Sequence, residues 1–460
     1  MQTAWRGGIV SPCAWARFAP PALALLLFFG FAAPAGADSG GPQLKIIRDA
    51  EIETDIHTMM TPIWRAAGLD PASVHVYLIE DPQINAFVAG GQNIFINTGL
   101  LLKADTPNQL IGVLAHETGH IAEGHIIRAE GAMTKASIEG MIATALGAAA
   151  AVMSHSDEAG GALLPGPLVA ERTFAHYRVS QEASADAAAL SYLDQTHQSA
   201  RGLLQFFEKL QSDEMLSGDS EIPYLRDHPL TETRIERVRQ HVLHSPYSNA
   251  PDPPRYIAML KRIKVKLRAF LSSPSEVLGA YPESDHSLLA RYARAIAYYR
   301  IPRLKKALSE IDSLIRDHPA DPYFEELKGQ MLFENGHIGE AVAPYDAAVR
   351  LDPSSPLLRI ERAEVDIATH NKALNNRAVG DLTDALLSEP LNGEGWHFLA
   401  IAYGREGKIG MAALSLAEQG LAAGRKNDAL LEANRAEHLL PKASTSYARA
   451  KEIEREAKEL

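Results

Sequence analysis

The spacing of apolar residues predicts helices through most of the chain, interrupted early by a small β-structure. Residues 44 to 69 carry apolar side chains near the helical repeat of about 3.6 and are predicted to form a helix. Residues 74 to 79 are rich in β-branched side chains and alternate in polarity, which predicts a strand. Two short apolar runs, 86 to 89 and 94 to 97, flank Gly90-Gly91-Gln92-Asn93 and predict a hairpin.

A second group of helices is predicted between this hairpin and a proline-rich segment. Thr106 is the predicted N-cap of one helix, with Pro107 in its first turn and Gln109 three residues after the cap. Residues 138 to 153 are rich in alanine and glycine, which predicts a tightly packed helix, with membrane contact as the alternative. Residues 154 to 167 have the composition of a loop. Further helices are predicted at 169 to 193, from 203 onward and at 231 to 243.

The last third of the chain repeats itself with a period of about 34 residues. A unit that ends at Pro353 places Gly329, Ala341, Tyr345 and Ala348 where tetratricopeptide repeats have glycine, alanine, an aromatic residue and alanine. The neighbouring units share this register at Tyr298, Ala307, Pro319, Ala378, Ala385 and Pro390. Because one helix pair cannot bury its apolar face alone, the repeats predict a stacked α-solenoid with a concave surface. A generic helical bundle is the alternative.

The chain is predicted to divide at the proline-rich segment 245 to 254. The predicted parts are a signal peptide at 1–37, a first domain at 38–245, a linker and connecting helix at 246–286, and a tetratricopeptide repeat domain at 287–460. Residues 255 to 271 alternate basic and apolar side chains, which predicts a helix packed on either domain, with a membrane-surface helix as the alternative. The predicted fold class is mostly α: an α+β domain with a small β-hairpin or sheet, followed by an α-solenoid.

The first 37 residues have the three-part pattern of a secretory signal. Arg6 and Arg17 precede an apolar run at 22 to 33, and Ala35-Gly36-Ala37 suits cleavage; an uncleaved anchor helix is the alternative. The single cysteine, Cys13, lies inside this signal. The mature chain is therefore expected to contain no thiol, which suits an oxidising compartment such as a bacterial periplasm.

The charge balance disfavours one class of partner. There are 57 acidic and 45 basic residues, for a net charge of −12 at pH 7. Such a chain is a poor candidate for general nucleic-acid binding. No apolar stretch after the signal reaches the length of a membrane span, so we expect no spanning helix in the mature chain.

The candidate chemistry centres on the pentapeptide His116-Glu117-Thr118-Gly119-His120. In a helix, residues four apart share one face, so two imidazoles can bind one metal ion while the glutamate acts on water. A short pattern also arises by chance, and two histidines leave a zinc ion short of its usual three protein ligands. The extended motif that supplies a third histidine fails here, because the chain has Glu123 and Ile126 at the required positions.

Glu182 is the predicted third metal ligand. One helical turn later, Asp186 would share its face and accept a hydrogen bond from a ligating histidine. Glu117 is then the predicted general base, and a pair of surface carboxylates is the alternative for the later helix. The segment His228-Pro229 to Arg234 offers donors for an oxyanion, with a plain turn and an exposed arginine as the alternative.

Together these motifs resemble the zinc peptidases related to the type II CaaX prenyl protease. The resemblance covers nearly all of residues 44 to 245 and implies one zinc ion bound by His116, His120 and Glu182, with Glu117 as catalytic base. It also implies a hairpin edge strand that receives substrate as an added strand. The segments that carry it are HExxH at 116–120, ExxxD at 182–186 with Arg178 before it, HPxxxxR at 228–234, Asn85-Ala86-Phe87 and Thr98-Gly99-Leu100-Leu101.

The chain combines a predicted secretory signal, these peptidase motifs and tetratricopeptide repeats. In this combination it resembles the periplasmic peptidases of outer-membrane protein quality control. This implies a zinc metalloendopeptidase that cleaves misfolded or misassembled envelope proteins, with repeats that recruit substrate or assembly machinery. It also implies that His228 approaches the zinc and restrains the enzyme. CaaX processing is not expected, because the chain lacks the spanning helices of those members. The alternatives are a chaperone or scaffold with a largely latent peptidase, and a metal-independent adaptor with a fortuitous HExxH.

Overall fold

The computed structural model describes residues 45–124, 165–217 and 222–459. Several predicted features lie outside these residues: the signal peptide, the helix at 138 to 153, most of the loop at 154 to 167 and the side chain of Arg178. The domain boundaries stay predictions, whereas the mostly helical fold with a small sheet is confirmed.

A four-stranded sheet lies at the start of the described chain. Its strands are β1 (Ile46–Ile47), β2 (His75–Ile79), β3 (Ala86–Ala89) and β4 (Asn93–Asn97), in the order β1-β2-β4-β3. β2 and β4 are parallel, whereas β1 pairs with β2 and β3 with β4 in antiparallel fashion. The predicted hairpin is present: Gly90 and Gly91 turn the chain with φ of 57° and 94°, which glycine adopts without steric penalty. β3 is therefore an edge strand.

The helices of the first region largely follow the sequence pattern. They are α1 (Ala50–Ala66), α2 (Thr98–Lys103), α3 (Pro107–Ala122), α4 (Pro165–Gln195), α5 (Arg201–Ser217), α6 (Pro223–Asp227) and α7 (Glu232–His244). As predicted, the Thr106 hydroxyl accepts from the backbone N–H of Gln109 at the start of α3, at 3.2 Å. Two predictions were wrong in detail. The helix predicted from residue 44 begins only at Ala50, because Asp49 caps it and the preceding residues pair in the sheet, and residues 165–167 are helical.

The second region is a stack of helix pairs. Two connecting helices, α8 (Pro254–Leu271) and α9 (Pro274–Ala280), lead to α10 (Leu288–Arg300), α11 (Leu304–Asp317), α12 (Pro322–Glu334), α13 (Ile338–Leu351), α14 (Pro356–Ala368), α15 (Lys372–Ser388), α16 (Gly393–Arg405), α17 (Ile409–Ala422), α18 (Lys426–Leu439) and α19 (Thr445–Glu459). Consecutive helices pack on each other. The repeat pattern has a steric reason: a Cβ on Gly329 would lie 2.6 Å from the ring of Tyr345, and Ala341 and Ala348 are fully buried. This is the predicted α-solenoid.

One hydrophobic core runs from the sheet through α8 into the first repeats. Leu260, Ile263 and Leu267 of α8 are buried in it, so the apolar face of this helix lies inside the protein. Nowhere in the described part of the chain does a helix combine the length and apolar character needed to cross a membrane.

Buried charges join the two regions beside this core. Lys266 of α8 contacts Asp49 at 2.8 Å and Glu51 at 3.0 Å, and the Tyr292 hydroxyl donates to Glu51 at 2.6 Å. Arg262, also on α8, forms ion pairs with Glu51 and with Asp321 of the repeats. Arg262 therefore bridges acidic groups on two separate segments, whereas Lys266 pairs with two acids at the start of α1.

Candidate metal centre

Helix α3 places both histidines of HExxH on one buried face. His116 is fully buried and His120 is 7% exposed, and their Nε2 atoms lie 3.1 Å apart. Glu117 lies between them and is also fully buried. The spacing of four residues thus brings two imidazole nitrogens to one point, as helical geometry requires.

Helix α4 brings two carboxylates to the same point. The Glu182 carboxylate lies 3.3 Å from His116 Nε2 and 3.5 Å from His120 Nε2. Asp186 Oδ1 lies 2.9 Å from His116 Nδ1, on the other side of the ring. The close packing of the helices depends on Gly119, where a Cβ would lie 2.9 Å from the carbonyl oxygen of Ala185.

The turn after α6 brings His228 to the centre as well. Its Nδ1 lies 3.4 Å from His116 Nε2 and 3.2 Å from Glu182 Oε1, and its Nε2 lies 3.5 Å from Glu117 Oε1. Asn85, just before the edge strand β3, donates to Asp227 at 3.1 Å. This bond ties the turn that carries His228 to the start of the edge strand.

These donor atoms fit a single metal ion. One ligand atom from each of His116, His120, Glu182 and His228 lies within 4.8 Å of the others, and all four residues are buried. Ligands about 2.0–2.1 Å from a tetrahedral ion are roughly 3.3–3.4 Å from each other. The contacts described above, from 3.1 to 3.5 Å, agree with that spacing. The ligand assignment itself stays a prediction.

Arg234 holds the two carboxylates of α4 in place. Its guanidinium donates to both oxygens of Asp186, at 2.7 and 2.8 Å, and Nη1 lies 2.9 Å from Glu182 Oε2. The side chain is buried and lies over the ring of Phe207. The alternative of an exposed arginine was therefore wrong. A direct role of Arg234 at a substrate oxygen stays a prediction, because the described contacts are to protein groups.

The surrounding charges separate the acids of the centre into two kinds. Burial raises the pKa of Glu182, but hydrogen bonds with His116 and His228 outweigh it and hold that pKa well below its usual range. Burial likewise opposes ionisation of Asp186, yet Arg234 and His116 lower its pKa to about 2. Burial raises the pKa of Glu117, and neither of its carboxylate oxygens has a hydrogen-bond partner among the described residues. Glu117 is thus the acid with capacity to accept a proton.

Two residues of this centre were missed by the sequence analysis. Gly119 lies inside the motif but is not one of its fixed positions, so only the approach of α4 reveals its role. Tyr224 packs its ring 4.8 Å from that of His228, and its buried hydroxyl has no hydrogen-bond partner among the described residues. Its pKa is raised well above its usual value by burial and by the charge of Glu117. The signal for Tyr224 was an aromatic residue one helical turn before His228.

The fold and this donor set define a metallopeptidase. Residues 48–242 match the model of peptidase family M48. The chain is 23% identical to a β-barrel assembly-enhancing protease of Yersinia pestis, over 79% of this chain and 74% of that protein. It is 24% identical to a β-barrel assembly-enhancing protease of Escherichia coli, over 58% of this chain and 55% of that protein, so the match spans about half of this relative.

A tetratricopeptide repeat protein from Parabacteroides merdae aligns with 55% of this chain and 99% of its own, at 15% identity and a TM-score of 0.29. The solenoid is defined by the helix pairs described above.

Proposed function

We propose that this chain is a zinc-dependent endopeptidase of the bacterial periplasm. Its substrates would be misassembled or misfolded envelope and outer-membrane proteins, and its repeats would recruit substrate or assembly machinery. The observation that carries the proposal is the buried cluster of His116, His120 and Glu182 beside the carboxylate of Glu117, whose oxygens have no hydrogen-bond partner among the described residues. The names of the relatives, β-barrel assembly-enhancing proteases, support the substrate class and compartment.

The side chains suggest how hydrolysis would proceed. His116, His120 and Glu182 would hold one zinc ion, which supplies a Lewis acid that polarises the peptide carbonyl and acidifies water. Glu117 takes a proton from the attacking water and passes it to the leaving amine. Asp186 fixes the ring of His116, and Arg234 fixes Asp186.

The edge strand would position the substrate for this chemistry. β3 pairs with β4 on one side, which leaves its other edge outside the ladders of the described sheet. An extended peptide can add to such an edge through backbone hydrogen bonds. The hydrogen bond from Asn85 to Asp227 connects the start of β3 with the turn that carries His228, so the edge strand and the metal centre are linked.

The experiment that tests this proposal is Glu117→Gln in the full chain. We expect peptidase activity on an unfolded protein substrate to fall by about 10²–10⁴-fold, because the general base is lost, while bound zinc is retained. Glu123→Gln, at the exposed end of the same helix, is the matched control and should leave activity unchanged. Undiminished activity in Glu117→Gln, or purified protein without metal, would contradict the proposal.

The position of His228 favours a second candidate, a chaperone or scaffold whose peptidase is largely latent. Catalytic zinc sites keep one coordination position open, whereas four protein ligands are typical of closed sites. His228 Nδ1 lies 3.4 Å from His116 Nε2, and this distance supports a closed site in which His228 is the fourth ligand. The two candidates differ in whether Glu117→Gln abolishes or preserves the cellular role.

Replacing His228 tests the latency directly. We expect His228→Ala to raise proteolysis severalfold, since removing the fourth donor opens a position for water and substrate. His244→Ala, at the exposed end of α7, is the control and should have no effect. Unchanged or abolished proteolysis in His228→Ala would refute the restraint and indicate a structural or transition-state role.

A further inference from the structure

The solenoid contains a groove lined by carboxylates, which we call the acidic groove. It is formed by the first helices of three successive helix pairs, α12, α14 and α16, and by Arg48 at one end. Its acidic lining consists of Glu326, Glu334, Glu361, Glu364 and Glu394. The groove contains a cavity of about 60 Å³, which is enough for several water molecules and hence for an ammonium or guanidinium group.

Two of these glutamates have oxygens without a donor. Glu326 is 7% exposed, and its Oε2 has no hydrogen-bond partner among the described residues; the same holds for the buried Oε2 of Glu361. A buried carboxylate oxygen without a donor is unfavourable by more than a neutral group would be. Both glutamates line the groove.

The cations beside the groove form ion pairs with acids that do not line it. Arg48 pairs with Glu53 at 3.0 Å and with Glu389 at 2.8 Å. Lys266 pairs with Asp49 and Glu51, as described above. Among the described contacts, neither cation forms an ion pair with Glu326 or Glu361, whose Oε2 atoms have no hydrogen-bond partner.

The electrostatics of the groove agree with this geometry. Burial, together with the negative charges of Asp49 and Glu51, raises the pKa of Glu326 against the opposing effect of Lys266. Burial and the charge of Glu326 raise the pKa of Glu361 well above its usual range. A positive charge placed between these two side chains would favour their ionised forms.

We propose that the acidic groove binds a basic segment of a protein chain by seating a lysine or arginine side chain between Glu326 and Glu361. A metal ion is less suited to this place. Among the described residues, the one group whose donor atoms converge on a single ion is that of His116, and none of the groove glutamates belongs to it. The inference rests on the proposed role of the repeats in recruitment, but it concerns binding and not hydrolysis.

The test measures peptide binding to the full chain. A fluorescent decapeptide rich in arginine and lysine is compared with one of the same sequence carrying citrulline and glutamine, in protein with Glu117→Gln so that cleavage does not consume the peptide. Since hydrogen bonds to charged groups contribute about 1.5–3 kcal/mol, we expect the basic peptide to bind roughly ten- to a hundredfold more tightly. Glu326→Gln/Glu361→Gln should remove most of that preference.

A control with the same change in charge separates the groove from general attraction. Glu340→Gln/Asp384→Asn neutralises two solenoid acids whose side chains are 70% and 67% exposed, and it should leave the preference nearly intact. Equal binding of both peptides, or equal weakening by both double variants, would overturn the proposal.

A further variant keeps the test decisive if the double replacement does not fold. Gln330→Lys adds an ammonium group to a residue that lines the groove, so it should abolish the preference for the basic peptide without lowering the unfolding temperature. Retained binding of the basic peptide in this variant would overturn the proposal.

Displacement of the peptide by micromolar Mg²⁺, Ca²⁺ or Mn²⁺ alone would also overturn the proposal, because it would indicate a metal site. Loss of peptidase activity in Glu117→Gln concerns only the proposed function.

Discussion

The metal centre and the acidic groove both bury carboxylates, but the pKa values of these carboxylates shift in opposite directions. In the metal centre, Asp186 accepts two hydrogen bonds from Arg234, and its pKa falls to about 2 despite burial. In the acidic groove, Glu326 is similarly buried, yet one of its oxygens has no donor and its pKa rises. Burial is thus common to both regions, and the supply of cationic donors decides the sign of the shift.

The opposite pKa shifts have opposite consequences for stability in the two regions. A carboxylate with a lowered pKa stabilises the folded chain above the pKa of its unfolded form, and this contribution is lost as the pH falls. One with a raised pKa has the opposite effect, because its ionisation at higher pH opposes folding. The metal centre therefore has a fixed, paired arrangement around its ligands, whereas an external cation bound in the groove would favour the ionised forms of its buried glutamates.

The largest expected effect comes from removing the pairing of the metal centre with Arg234→Met. We expect the free energy of unfolding of the peptidase domain to fall by about 3–5 kcal/mol, because Asp186 and Glu182 would remain buried without their partner. Denaturant titration, followed by a signal from this domain, measures the loss. The control is Arg239→Met, whose ion pairs with Glu208 and Glu236 are exposed, so its loss should be much smaller. Similar losses in both variants would show that pairing at Asp186 does not stabilise the centre.

Metal removal should have a slightly smaller effect, confined to the same region. A ligand present at about 100 to 1,000 times its dissociation constant stabilises the folded state by about 2.7–4.1 kcal/mol, so a chelator should lower the unfolding temperature correspondingly. In His120→Ala, which lacks one proposed ligand, the chelator should shift it much less. Binding of the basic peptide to the groove should be unaffected by the chelator. Weaker peptide binding in the presence of the chelator would show that the groove and the metal centre are not independent.

The sequence predicted those parts of the site that depend on local periodicity. HExxH and ExxxD work because residues four apart share a helical face, and the hairpin around Gly90 follows from turn chemistry. These features need no knowledge of tertiary contacts. The repeats are predictable for a similar reason. Their pattern depends on packing within one helix pair, as between Gly329 and Tyr345.

The remainder depends on contacts between residues far apart in the chain. Arg48 and Glu389 form an ion pair across 341 positions, and the glutamates of the acidic groove come from three helices that only repeat stacking brings together. The short strand β1 was missed because its two residues continue the apolar pattern of the following helix. The fit of Gly119 against Ala185 was missed for a related reason, since a glycine inside a motif carries no sign of its partner helix.

The smallest expected effect is a pH dependence of stability caused by Glu326. Burial and the nearby acids raise the folded-state pKa of Glu326 above its ordinary value of 4.5. The wild-type chain should therefore lose stability as the pH rises above that value, because ionisation of Glu326 opposes folding. Glu326→Gln imitates the protonated form. Its free energy of unfolding should therefore equal that of the wild type near pH 4.5 and exceed it by about 1–2 kcal/mol at pH 8, with Lys266 and Arg262 limiting the gain. Thermal or denaturant unfolding across this range measures the difference, with exposed Glu340→Gln as the control. A difference that shrinks with rising pH would mean that Glu326 is paired like Asp186, and the contrast between the two regions would be lost.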